Sequence, residues 1–388
     1  MSNNIAVDTT GLGAGFGESA LKLFARARSE HLPIAGGIEL THRCNLACLH
    51  CYVNLPAADR EAQRAEMTTD EVKSVIDQIA DAGTLYLTFS GGEPLLRPDF
   101  PEVYRHAHAR GLIVTVYTNA TLISKAIVDL FVECPPRLLE VTQYGYTPET
   151  YDRVTDAGEQ YGRFMRGLER VRAAGVKVTL KAVAMRANRD EVLQIRDFAR
   201  REGMRFRFDT ILSPRIDGGK KPLAQRLTPE EVIALETGDQ ERQKEFADYC
   251  HHTGMPPQGN DSKYHCGAGL ATFLVDPYGR MHVCELSRKP GWDVVRGGFA
   301  RGWYEEFPKL RALKRQHTDG CGTCGGVSTC SNCVGMAELE GMSSDDGNLY
   351  MCRVNDKRME SVFGANRPEP NGLVRLRLAR EQLLKAAI

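Results

Sequence analysis

Between residues 36 and 215, apolar β-branched runs alternate with amphipathic stretches, and no other feature restricts the chain as much. The alternation is the signature of parallel βα units, because a parallel strand must be followed by a crossover that returns to the same sheet. Strands are expected at Ile34 to Thr41, Leu85 to Phe89, Leu112 to Tyr117, Leu138 to Thr142, Val176 to Val183 and Arg205 to Asp209. Between them, Thr68 and Glu71 form a capping box that starts one helix. Asp99 to Arg110 is closed by Gly111, Tyr161 to Ala174 by Gly175, and Arg189 to Glu202 reads as a fourth helix. In folds built of parallel βα units the strand C-termini carry the site.

The loop after the first strand reads Thr41-His-Arg-Cys-Asn-Leu-Ala-Cys-Leu-His-Cys-Tyr52. Cys44, Cys48 and Cys51 follow a Cys-x3-Cys-x2-Cys spacing. Three thiolates on one loop are too few to fill a four-iron cluster. One iron then takes its ligands from elsewhere, and an open iron is a catalytic one by the logic of catalytic zinc sites. A zinc site or three unrelated thiols are the alternatives, but zinc normally wants a fourth protein ligand nearby. The second strand runs into Ser90-Gly-Gly-Glu-Pro-Leu95. Glycines there let the backbone approach a ligand, and the Glu93 carboxylate can accept a hydrogen bond from a ligand ammonium.

The cysteine spacing, with Gly91-Gly92-Glu93-Pro94 at the next strand end, resembles the radical S-adenosylmethionine enzymes. The resemblance implies an α/β fold with a partial (βα)6 barrel. It also implies one catalytic 4Fe-4S cluster whose open iron is chelated by the amino and carboxylate groups of S-adenosylmethionine. Reductive cleavage of the sulfonium then gives a deoxyadenosyl radical that abstracts a substrate hydrogen, chemistry that belongs to the cofactor. Carried over residue by residue, His50 takes a position near the adenine and Asn119 a ribose-side contact. Thr142 takes the serine or threonine position at the fourth strand end, Arg153 that of an arginine for the carboxylate, and Lys181 and Asn188 flank the fifth strand end.

In the C-terminal third seven cysteines run in order: Cys266, Cys284, Cys321, Cys324, Cys330, Cys333 and Cys352. They resemble the SPASM extension, a small cysteine-rich α+β domain with two auxiliary iron–sulfur clusters. The usual third spacing is Cys-x3-Cys, whereas Cys330 and Cys333 are Cys-x2-Cys. By the family pattern Cys266, Cys284 and Cys333 hold the first auxiliary cluster, with Cys250 as candidate fourth ligand. An open iron or a non-cysteine ligand is the rival for that position. Cys321, Cys324, Cys330 and Cys352 hold the second. Cys321 to Cys333 read alone also suit a zinc ribbon. Cys134, outside both patterns, reads as a buried thiol. Phe273 to Cys284 reads as a hairpin turning at Pro277 to Gly279, in a small sheet with a cluster at its strand end.

The expected organisation is a leader with a short helix at 1–35, the barrel at 36–215 and a bridging segment at 216–265 with a charged helix from Thr228 to Ala247. The auxiliary-cluster domain spans 266–355, and a tail at 356–388 holds a helix from Leu373 to Ala387. Lys+Arg and Asp+Glu are 50 each, so the charge balance asks for no nucleic acid. No apolar run approaches a membrane span, and no signal peptide is visible, so a cytoplasmic location is expected and the 12 cysteines read as metal ligands rather than disulfides. Exposed clusters are oxygen-sensitive, so purification is expected to need anaerobic handling.

The SPASM group mostly modifies ribosomally made peptides or proteins, which implies a precursor peptide or protein substrate and an external electron donor such as flavodoxin or ferredoxin. Oxidation or crosslinking of a side chain is the leading expectation. A small-molecule oxidase or decarboxylase of cofactor or tetrapyrrole synthesis is the first alternative. A non-catalytic iron–sulfur or zinc protein is the second. A net oxidation also needs a base at the barrel mouth, for which Asp209, Tyr117 and Lys181 are the strand-end candidates.

Overall fold

The computed structural model describes residues 14–253, 261–264, 266–317, 320–324, 326, 330 and 333–366, with the side chains of 14–21 and 249–253 outside that description. The helix expected from Leu373 to Ala387 and the side chain of Cys250 lie outside the described residues. Two compact units divide the chain. One is built from Asn3–Asp209 and Gly267–Leu310, the other from Thr210–Cys266 and Arg311–Ile388.

The six expected strands are present as β1 (Ala35–Thr41), β2 (Tyr86–Gly91), β3 (Ile113–Thr118), β4 (Leu138–Thr142), β5 (Val178–Val183) and β6 (Arg205–Asp209). Three more follow: β7 (Thr272–Val275), β8 (Arg280–His282) and β9 (Trp292–Asp293). The sheet order is β9-β8-β7-β1-β2-β3-β4-β5-β6, and all pairs from β7 to β6 are parallel. All seven residues of β1 are buried, as a parallel strand covered on both faces requires. Helix Thr69–Asp81 buries Val72, Val75, Ile76 and Ile79, one stripe at helical spacing, and its Thr68/Glu71 capping box is formed.

The hairpin expected between Phe273 and Cys284 is formed, and Asp276 Oδ1 fixes its turn by accepting from the Tyr278 and Arg280 N–H groups. It does not make a small sheet of its own. Strand β7 pairs in parallel with β1, from Ala35↔Thr272 to Ile38↔Val275. The reason is backbone satisfaction: β1 is buried, and its peptide groups on the side away from β2 need partners.

Other differences have local causes. Strand β5 starts at Val178 rather than Val176, because the N–H groups of Gly175 and Val176 are used to close the preceding helix on Arg172 O and Val171 O. The charged helix is two helices, Pro229–Thr237 and Gln240–Thr253, with Asp239 accepting from the Arg242 N–H at the second start. Helices Lys125–Glu133 and Pro148–Thr155 were not expected, although Ser124 and Thr147 cap them. Cys134 is half-buried at the end of the former.

In the second unit Arg358, on helix Leu349–Phe363, is buried and donates to Glu236 at 2.7 and 2.8 Å. Burial pushes the Glu236 carboxyl up, but Arg358 and Arg242 outweigh it and hold it at about 2. Arg226 clamps Glu340 at 2.6 Å and lies over the Tyr350 ring.

Candidate functional site

The cysteine loop leaves β1 through a short bridge, Arg43–Cys44 with Leu55–Pro56. Cys44, Cys48 and Cys51 pack together with Leu46, Ala157 and Tyr144. The loop is sewn to helix Pro148–Thr155 by Ala47 N–H to Thr155 O and Leu49 N–H to Val154 O, each 2.9 Å. Burial pushes the Cys44 thiol up to about 12, and the neighbouring Glu93 and Cys51 add to the rise. Burial likewise raises Cys48, with Cys51 and Cys44 behind it. Donors face the sulfurs: Asn54 N–H to Cys51 Sγ at 3.3 Å and Asn119 Nδ2 to Cys44 Sγ at 3.7 Å. Such donors favour thiolates once a cation replaces the proton. Three clustered thiols, water-poor surroundings and N–H donors fit an iron–sulfur cluster.

Gly91-Gly92-Glu93 packs directly against this loop. Gly92 N–H donates to Thr41 O at 2.7 Å and Glu93 N–H to Arg43 O at 2.9 Å. Gly91 has φ +127°, and a Cβ there would fall 2.1 Å from Thr41 O; at Gly92 it would fall 2.3 Å from Arg43 O. The glycines are therefore required by the chain's own backbone. Glu93 is fully buried, with Oε1 accepting from Thr118 Oγ1 (2.8 Å) and Leu95 N–H (3.1 Å), and Oε2 from Asn119 N–H (2.7 Å). Burial pushes its carboxyl up to about 7 against the pull of those three donors. Pro94 opens a short 3-10 turn after it.

Asn119 links three elements, since Nδ2 also donates to Asn45 Oδ1 at 3.0 Å while Oδ1 accepts from Thr121. Asn45, Thr118 and Thr121 thus belong to the arrangement and were missed; the polar run Thr118-Asn119-Ala120-Thr121 straight after a strand was their signal. Ala120 holds φ +61°, and helix Tyr161–Ala173 presses on it: a Cβ at Gly167 would lie 2.0 Å from Ala120 O. Gly167→Ala is expected to cost about 1–3 kcal/mol by overpacking, read as a lower thermal midpoint.

His50 is held neutral: burial lowers it to about 4, Lys181 adds to the fall, and Asp209 opposes it. Its ring lies 5.8 Å from Tyr144, and its buried Nδ1 has no partner among the described residues. Thr142 and Lys181 are cross-strand neighbours on β4 and β5. Lys181 Nζ meets Asp209 at 2.9 Å, and Arg207 forks onto Glu140 at 2.6 and 2.8 Å. Burial pushes Asp209 up, but Lys181 and Arg207 win and hold it well below the usual carboxylate range. Burial and then Glu140 push the Tyr117 phenol up. Arg153 is exposed and donates to Thr150 Oγ1 at 2.7 Å, in a network built on Glu191. Asn188 is buried and ties Tyr144 O to Val183 O.

Glu39 of β1 is fully buried and accepts from both Arg288 terminal nitrogens at 2.8 Å and from His42 at 2.9 Å. Arg288 shares a loop with Cys284, whose sulfur accepts from Ser287 N–H at 3.2 Å. Neither Glu39 nor Arg288 was singled out from the sequence. In the second unit Cys321 is buried, Cys324, Cys330, Cys333 and Cys352 are half-buried and Cys266 is exposed. The sulfur of Cys333 accepts from Met336 N–H at 3.3 Å.

Residues 38–199 match the model of the radical SAM superfamily. The chain is 28% identical over 326 residues to the mycofactocin maturase MftC of Mycobacterium ulcerans, covering 81% of this chain and 86% of that one. It is 34% identical over 165 residues to the AdoMet-dependent heme synthase of Methanosarcina barkeri, covering 42% of this chain and 46% of that one. Streptococcus suis SuiB, solved bound to precursor peptide SuiA, superposes with a TM-score of 0.65 at 16% identity over 86% of this chain and 79% of that chain, a likeness of fold. Among the described residues no helix is long and apolar enough to cross a membrane.

Proposed function

We propose, because residues 38–199 match the radical SAM superfamily, that this chain is an enzyme that reductively cleaves S-adenosylmethionine and oxidises or crosslinks a side chain of a ribosomally made peptide or protein. The observation that carries the peptide reading is breadth of similarity. Likeness to the maturase runs over 81% of the chain, whereas likeness to the heme synthase stops at 42%. The second reading, a small-molecule radical oxidase or decarboxylase of tetrapyrrole synthesis, rests on that shorter match.

Cys44, Cys48 and Cys51 would hold the 4Fe-4S cluster as thiolates, and the cluster with S-adenosylmethionine supplies, when bound, the electron and the hydrogen-abstracting radical. The chain's own residues bind, orient and exclude water. Gly91, Gly92, Glu93 and Pro94 lock the second strand end to the cysteine loop. His50, neutral and half-buried, offers an uncharged ring beside the nucleotide, with Asn119 and Thr142 as further nucleotide-side residues; Arg153, held at the surface by Thr150, would have to leave that bond to join them. Asp209, Lys181 and Tyr117 line the strand ends. Asp209 is a weak base while Lys181 and Arg207 hold it, so it orients charge rather than taking a proton.

The proposal includes two auxiliary clusters, one on Cys266, Cys284 and Cys333 with Cys250 as candidate fourth ligand, the other on Cys321, Cys324, Cys330 and Cys352. It also includes a flavodoxin- or ferredoxin-type donor and a cytoplasmic setting. Anaerobic reduction with S-adenosylmethionine is expected to yield deoxyadenosine and methionine, with mass spectrometry showing a modified precursor peptide. Turnover of a porphyrin with no effect on any peptide would favour the second reading. Iron and sulfide counted per chain test the number of clusters.

A further inference from the structure

Tyr151, on helix Pro148–Thr155, is completely buried. Its ring is enclosed by Tyr144 at 5.8 Å, Tyr161 at 5.4 Å and Phe164 at 5.6 Å. A phenylalanine would serve that packing as well. The hydroxyl is the anomaly, because it is buried with no hydrogen-bond partner among the described residues. A buried donor without a partner lowers stability unless a bound group accepts from it.

Its surroundings adjoin the three-cysteine loop. The last turn of the same helix accepts two backbone hydrogen bonds from the cysteine loop, at Val154 O and Thr155 O. Tyr144, edge-on to Tyr151, belongs to the cluster of side chains that contains Cys44, Cys48 and Cys51. After burial, the charges that act most on the Tyr151 phenol are Cys48, Cys44 and Glu93. Gln143 Oε1, like Gln160 Oε1, and His50 Nδ1 are also buried without partners among the described residues. The first can only accept and a neutral imidazole nitrogen can accept, whereas a phenol can donate to sulfur.

We propose that the Tyr151 hydroxyl donates a hydrogen bond to a sulfur of the iron–sulfur cluster on the three-cysteine loop and raises its reduction potential. The proposal rests on the radical SAM reading of that loop. Donation to cluster sulfur stabilises the reduced, more negative state, so Tyr151 acts as a positioning and tuning residue rather than a catalytic one.

The test is Tyr151→Phe in the full-length chain, reconstituted anaerobically and followed by redox titration with electron paramagnetic resonance. The signal to follow is the one that changes when S-adenosylmethionine is added. The variant is expected to bind as much iron as the parent, with that signal appearing at a more negative potential. The reduced-to-oxidised ratio at fixed potential should fall about tenfold, equivalent to about 59 mV for one electron. Tyr161→Phe is the control, since that hydroxyl already donates to Tyr146 O at 2.8 Å, and its potential should not move. An unchanged potential in Tyr151→Phe at equal iron content overturns the proposal. A shift seen only with the nucleotide present also overturns it, by assigning the hydroxyl to the nucleotide. Loss of the iron overturns it too, because a tuning bond does not hold a cluster that three thiolates already bind. If no signal of the parent protein responds to S-adenosylmethionine, the reading of the loop fails and takes the proposal with it.

Discussion

Replacing Cys44, Cys48 and Cys51 together with alanine is expected to reduce deoxyadenosine formation from S-adenosylmethionine to the level of buffer alone, while iron stays bound by the C-terminal cysteines. The loss is total because all three protein ligands go at once, a single imidazole at His50 cannot hold a four-iron cluster, and Glu93 already spends both oxygens on Thr118, Asn119 and Leu95. The fold is expected to survive, because backbone bonds from Ala47 and Leu49 anchor the loop independently of the sulfurs. Chromatography of the nucleoside products and iron analysis of the same samples check both halves. Continued cleavage by the triple variant would sink the assignment of the catalytic cluster.

Arg288→Met is expected to lower stability by about 3–5 kcal/mol, because it leaves the Glu39 carboxylate buried without its guanidinium. In a unit of this size that corresponds to a fall of roughly 10 °C in the melting temperature. The pH dependence carries a second signature. Burial pushes Glu39 up, yet Arg288 and His42 outweigh it and hold it well below the usual carboxylate range. The stability from this pairing is therefore fully present above the unfolded value of about 4.3 and is lost as pH falls further toward the folded value. Without Arg288 burial dominates and the folded value rises. Glu39 then takes up a proton on folding, so the variant should grow more stable as pH falls from about 8 to about 5, while this group leaves the parent flat. Melts of both proteins across that range check it; equal midpoints at neutral pH would show that Glu39 does not depend on Arg288.

The barrel strands were legible because buried parallel strands write themselves as continuous apolar runs, and the cysteine spacing was legible because one loop carries it. Helix Pro148–Thr155 also had a local signal, in Thr147 and Pro148, that went unused. Pairings remote in sequence had none. Glu39 and Arg288 stand 249 residues apart, and a glutamate in a strand followed by an arginine in a loop reads as ordinary solvent-facing charge. Tyr151 was equally silent: on an amphipathic helix it fits the apolar stripe, and only the partnerless oxygen distinguishes it from core. Arg153 shows the reverse, a residue whose spacing suggested a ligand contact but whose side chain joins the Glu191 network at the surface.

The parallel pairing of β1 with Thr272–Val275 orders events on the ribosome. As the nascent chain emerges, β1 acquires β2 early, but its other edge waits for a segment made far later. Throughout that interval a buried-type strand presents unpaired peptide groups, a template for joining another chain. The cysteine loop hangs from the end of that same strand. Chains cut short before residue 272 should therefore be captured by chaperones or aggregate rather than accumulate.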